Sequence, residues 1–81
     1  MSDKIGRVVY DAGRRCYLLV DGSGAELREL HPGDVLTVRY ITDDPSRWFN
    51  VRIEHDDPNW WYMVTQYGHE RDDFDLLDVK I

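Results

Sequence analysis

Two alternating runs joined by a short acidic turn constrain this chain more than any other feature: RWFNVRIE (47–54), HDDPN (55–59) and WWYMVTQY (60–67). Side chains along a strand point to opposite faces in turn, so a period of two marks a strand with one buried face. In the first run Phe49, Val51 and Ile53 form an apolar row, with Trp48, Asn50, Arg52 and Glu54 opposite. In the second run the consecutive aromatics Trp60, Trp61 and Tyr62 cannot all enter one core. Pairing Glu54 with Trp60 across a five-residue loop sets Arg52 against Tyr62 and Asn50 against Val64. Trp61 and Met63 then join Val51 and Ile53 inside, while Trp60 and Tyr62 lie outside beside Trp48, Arg52 and Glu54. In this register Arg52 is expected to stack on Tyr62, a contact worth about 0.5–1 kcal/mol at an exposed site. A slip of one residue would exchange the two sets.

The same reading extends along the chain. KIGRVVYD (4–11), CYLLVD (16–21), VLTVRYIT (35–42) and FDLLDVKI (74–81) are further short β-rich runs broken by turn residues. Between them GSGAELRELHPGD (22–34) is a longer connection, in which ELREL is too short to stand as a helix. With 81 residues there is room for one domain, residues 1–81, and one small core. The expected fold is all-β, a small SH3-like partly open barrel of five to six antiparallel strands, its last strand closing the sheet. An OB-like barrel is the alternative, although that fold normally takes a longer chain and a clear helix.

Charge narrows the partners. The formal net charge of −6 opposes non-specific attraction to a phosphate backbone, so direct nucleic-acid binding is not expected. Twelve of the sixteen acidic residues are Asp, which favours turns, and three adjacent pairs stand out: Asp43–Asp44, Asp56–Asp57 and Asp72–Asp73. The plain reading is solubility and turn chemistry; the functional one is a set of carboxylates that imitates phosphate in a partner's basic groove. Cys16 is the only cysteine, so no intramolecular disulfide is available. No charged leader precedes an apolar run, and nothing approaches the roughly 18 apolar residues of a membrane helix. A cytoplasmic protein without membrane attachment is expected.

Catalytic signals are weak. His55–Asp56 and His69–Glu70 each set an imidazole beside a carboxylate, and His31 precedes Pro32 in a turn. No histidine spacing matches a zinc motif, no EF-hand pattern is present, and DGSG is a turn rather than a phosphate cradle. Cys16, in an alternating run, reads as a small buried hydrophobe. No enzyme activity, metal or cofactor is therefore expected, with acid/base or metal chemistry on His55 and His69 as a third reading.

Gly6, Tyr10 and Asp11 near the start, Arg52-Ile53-Glu54 followed by Trp61-Tyr62 in the hairpin, and Val79-Lys80-Ile81 at the end resemble a small bacterial β-domain family of unknown function, common in mobile elements. The extra Trp60, the TDDPSR insertion and the acidic YGHERDDF loop depart from that pattern. The resemblance implies a β domain and a mobile-element setting, in which small acidic proteins can block host nucleic-acid machinery; it implies no mechanism. The leading expectation is a non-enzymatic acidic module that docks on a protein partner through Trp48, Arg52, Glu54, Trp60 and Tyr62 and the flanking Asp loops. The runner-up is an anti-defence inhibitor, an anti-CRISPR-like nucleic-acid mimic that covers the basic groove of a nucleic-acid-binding protein. A monomer and a homodimer are both compatible with a sheet edge beside aromatic residues.

Overall fold

The computed structural model of the chain describes residues 4–42, 46–56 and 58–81. They form β1 (Ile5–Asp11), β2 (Cys16–Val20), β3 (Glu26–Glu29), β4 (Val35–Tyr40), β5 (Phe49–Asp56), β6 (Trp60–Thr65), β7 (Glu70–Arg71), a 3-10 turn (Phe74–Leu76) and β8 (Leu77–Lys80). The strands make one antiparallel sheet in the order β3-β2-β1-β8-β4-β5-β6-β7. The fold is all-β, as the alternation requires, and no α-helix occurs among the described residues. No helix there is long and apolar enough to cross a membrane.

Eight strands replace the expected five to six. The ELREL segment, which is too short to nucleate a helix, satisfies its backbone groups by pairing with β2 as edge strand β3. The two residues of β7 pair with β6 at the other edge. Phe74–Leu76, expected to begin the last strand, instead turns as 3-10 and drives Phe74 into the core. The last strand does more than close the sheet: β8 lies between β1 and β4 and joins the two halves.

Local sequence explains the turns. Asp11 accepts hydrogen bonds from the backbone of Gly13 and Arg14 at 2.9 and 3.1 Å, and Arg15 takes a positive φ of 55°, which folds β1 back onto β2. In HPGD, Gly33 has a φ of 94° and Asp34 accepts from the His31 N–H at 2.8 Å, launching β4. Alternation then sends Leu36, Val38 and Tyr40 of β4, Val51 and Ile53 of β5 and Met63 of β6 into a common core. Strand β2 is enclosed on both sides: Leu19 joins that core, while Cys16, Leu18 and Val20 form a second buried cluster.

The sheet bends strongly. Four strands lie between β2 and β6 in the sheet order, yet Tyr17 and Trp61 meet with ring centroids 6.0 Å apart. That closure brings the β1–β2 and β5–β6 turns together at one mouth of a partly open barrel.

The hairpin register differs from the expected one by two residues. Glu54 pairs with Tyr62, His55 with Trp61 and Asp56 with Trp60, so β5 runs to Asp56 and three residues remain in the loop. A shift of two keeps every side chain on its face. Trp61 and Met63 accordingly remain on the inner side and Trp60 is exposed. The gain is two more cross-strand pairs, including the His55 and Trp61 rings at 4.4 Å.

Candidate functional site

The β1–β2 hairpin contributes Tyr10 and Tyr17, a cross-strand pair with ring centroids 5.0 Å apart. The β5–β6 hairpin contributes Asn59, Trp60 and Trp61, and the segment after β7 contributes Asp72. Together these six residues line a cleft of about 290 Å³ at the mouth of the barrel. The Tyr10 and Trp61 planes stand at 66° and 79° to the Tyr17 plane, so the rings make walls rather than a stack. Phe74 stacks on Tyr17 at 4.1 Å and ties that wall to the core. Asn59 Nδ2 donates to the Tyr10 hydroxyl at 3.0 Å and lashes one turn to the other.

Trp60 is 52% exposed and makes no ring contact among the described residues. Trp61 packs against both buried clusters, and its indole N–H is buried without an acceptor among the described residues. Packing on Tyr17 and His55, not hydrogen bonding, holds that ring in place. The field in the cleft is negative. Burial raises the Tyr17 phenol pKa first, and Asp75, Tyr10 and Asp72 push it further in the same direction.

The residues expected to form one docking face are divided by the structure. Trp60 and Asp72 meet in the cleft, with Asp56 beside them as the strand partner of Trp60. Trp48 lies before β5 while Trp60 pairs with its last residue, which separates the two positions by about 26 Å along the strand. Trp48 is instead enclosed by cations, with Arg39 4.7 Å and Lys80 4.8 Å from its ring centroid. The outer face of the hairpin carries Arg52, Glu54 and Tyr62, but Arg52 does not stack on Tyr62. It stands opposite Val64 and meets Glu54 at 3.5 Å, because the two-residue change of register moved Tyr62 away from it. Tyr62 sits among carboxylates: partial burial, then Asp56, Glu54 and Glu70, raise its phenol pKa.

The acidic pairs separate as well. Asp72 is exposed on the cleft, whereas Asp73 turns away to accept from Arg71 at 2.7 Å and from the Tyr40 hydroxyl at 2.9 Å. Asp73 is thus part of an internal polar network, not of an open acidic surface. Asp43, Asp44 and Asp57 lie outside the described residues.

The two histidines of the third reading do not converge. His55 pairs with Trp61 and His69 bonds the backbone of Thr65, so about 13 Å of β6 lies between them. His55 Nε2 lies 3.3 Å from Asn59 Oδ1, in the hairpin tip. Among the described residues no group of three or more His, Cys, Asp or Glu could hold a metal ion. Cys16 is buried, and burial followed by Glu29 raises its thiol pKa away from the reactive thiolate.

At the far end of β5 and β6 a second cavity of about 310 Å³ is lined by Tyr40, Phe49 and Tyr67 together with Arg47, Arg71, Thr65 and His69. Its Arg71 is held over the Tyr40 ring at 3.7 Å and bound to Asp73. Neither cavity is visible in the hairpin alone. Tyr10, Tyr17 and Asn59 were not expected at a site, and Trp61, expected in the core, also lines the cleft. The signal for the first two was present: pairing Asp11 with Cys16 across the DAGRR turn sets Tyr10 against Tyr17.

The family described as a domain of unknown function (DUF5348) matches residues 6–81. No curated protein and no solved structure matches the chain.

Proposed function

The chain belongs to the DUF5348 family, and for this member we propose a non-enzymatic role as a binding module that docks on a protein partner through the cleft at the barrel mouth. The observation that carries this reading is the convergence of four rings, Tyr10, Tyr17, Trp60 and Trp61, from two distant hairpins around one opening. Trp and Tyr are the side chains that most often anchor protein interfaces, because they bury much area at little entropic cost. An indole left 52% exposed beside a concave surface is an anchor of that kind. Asp72 and Asp56 add negative charge at the rim and select against acidic partners.

Phosphate mimicry has less support. Asp73 is engaged by Arg71 and Tyr40, which leaves Asp56 and Asp72 as the exposed carboxylates of the described pairs. A mimic would also lose affinity steeply with ionic strength, whereas aromatic docking resists salt. Affinity capture from the native cell at low and high salt, with wild type, Trp60→Ala and Val35→Ala, tests the proposal. Val35 is an exposed side chain of β4, away from the cleft. Retention of a partner by wild type and Val35→Ala at both salts, with loss in Trp60→Ala, is the expected result. Retention by Trp60→Ala would contradict it.

A further inference from the structure

The geometry points to the ligand chemistry of the cleft: we infer that it takes the cationic end of a basic side chain, an alkylammonium, presented by an exposed segment of the partner. This assignment rests on the docking reading above and specifies its occupant.

Three observations support it. The first is the arrangement of rings. The Tyr10 and Trp61 planes stand steeply to that of Tyr17, and Trp60 adds a fourth ring free of ring contacts among the described residues. Ring faces carry negative quadrupole density and attract a cation within about 6 Å of their centroids. Several rings set at steep angles address one cation from several sides, which a flat apolar patch cannot do.

The second is charge. Asp72 lines the cleft, Asp56 is paired with Trp60, and Asp75 adds to burial in raising the Tyr17 phenol pKa. Among the residues that line the cleft, none carries a positive charge. No cation in the lining therefore offsets the Asp72 charge for an anionic ligand, while a cation gains from both rings and carboxylates. The second cavity has the opposite character and supplies an internal contrast, since two arginines and a histidine line it.

The third is size and polarity. About 290 Å³ accommodates one long side chain, not a helix or a folded element. Asn59 and Asp72 are the non-aromatic members of the lining, and the Asn59 amide is already committed to the Tyr10 hydroxyl. Asp72 remains to face the cation. A lysine is suited to such a site because its four-carbon stem lies along the rings while its head reaches the carboxylate.

The test uses three short peptides of one sequence whose central residue is lysine, trimethyl-lysine or norleucine. Norleucine keeps the stem and removes the charge. Binding is followed through the indole N–H resonances of Trp60 and Trp61 in the intact chain. The lysine and trimethyl-lysine peptides are expected to shift these resonances saturably, with norleucine weaker by about tenfold or more. Asp72→Asn is expected to weaken the lysine peptide several-fold while leaving the backbone spectrum of the folded chain in place. Norleucine binding within twofold of lysine would overturn the assignment, and so would the absence of binding by both cationic peptides. Such a failure is separable from failure of the docking reading. If Trp60→Ala still loses the captured partner, the cleft docks something other than a cation; if Trp60→Ala keeps the partner, docking itself is wrong.

Discussion

The side-chain amide of Asn59 donates to the hydroxyl of Tyr10 at 3.0 Å, across 49 residues of sequence. One belongs to the β5–β6 turn and the other to the end of β1, so this bond spans the mouth of the barrel and sets the spacing of its aromatic walls. It is exposed, which places its contribution at the low end of the usual range for a hydrogen bond. Asn59→Ala should lower stability in urea unfolding by only about 0.5 kcal/mol. Partner capture should fall further than that loss accounts for, because the two tips are no longer tied.

Stability and docking should separate at Trp60. With half of its surface already in water, Trp60→Ala removes little burial and should change the unfolding free energy by less than about 1 kcal/mol. Ile53, on the neighbouring strand, is fully buried, and Ile53→Ala should cost about 2–5 kcal/mol. Chemical denaturation of the two variants side by side provides the comparison.

Acid should loosen the network around Asp73. Burial tends to raise this carboxyl's pKa, but hydrogen bonds from Arg71 and Tyr40 outweigh it, and the net value lies below the usual one. The stabilisation is therefore present above the unfolded value of about 3.9 and is lost as pH falls through the lower folded value. Asp73→Asn should cost about 1–2 kcal/mol at neutral pH, the partial exposure of both partners keeping the figure modest. It should also flatten the decline in stability below about pH 4. Urea unfolding of both proteins across that range measures both effects.

Gly6 has a steric duty. A Cβ there would meet the backbone carbonyl oxygen of Val20 and the side chain of Ile81, in the crowded space where β1 faces β2 and β8. The Val20 oxygen belongs to a paired strand and cannot step aside alone. Gly6→Ala should therefore destabilise by about 1–3 kcal/mol. In a domain of this size that lowers the unfolding midpoint by roughly 4–8 °C per kcal/mol, which calorimetry resolves.

Much of this architecture is legible in the sequence because alternation is a local property. The apolar row of Val51 and Ile53, the division of Trp61 from Trp60 and Tyr62, and the HPGD turn all follow from neighbours a few residues apart. Register was less legible: pairs differing by two residues bury the same faces, so alternation alone cannot choose between Glu54–Trp60 and Glu54–Tyr62. The edge strands β3 and β7 were hidden because charged or very short edges lack the apolar pattern. The cleft was legible only in part. Trp60 and Asp72 stood out by composition, but their meeting with Tyr10 and Tyr17 depends on how the sheet bends, a long-range property that no short run encodes. Trp48 shares the outward parity of Trp60 on the hairpin, and only the length of β5 shows that the two are far apart.

The central claim is that partners meet the chain at the aromatic mouth of the barrel. Site-specific photocrosslinking in the native cell addresses it most directly, with a photoreactive phenylalanine derivative, which keeps an aromatic ring in place of Trp60, at position 60 in one protein and at position 35 in another. A partner adduct from position 60, abolished when Asn59→Ala and Asp72→Asn are added, is the predicted result. An adduct from position 35 with none from position 60 would contradict the account and move the docking surface to the outer face of the sheet.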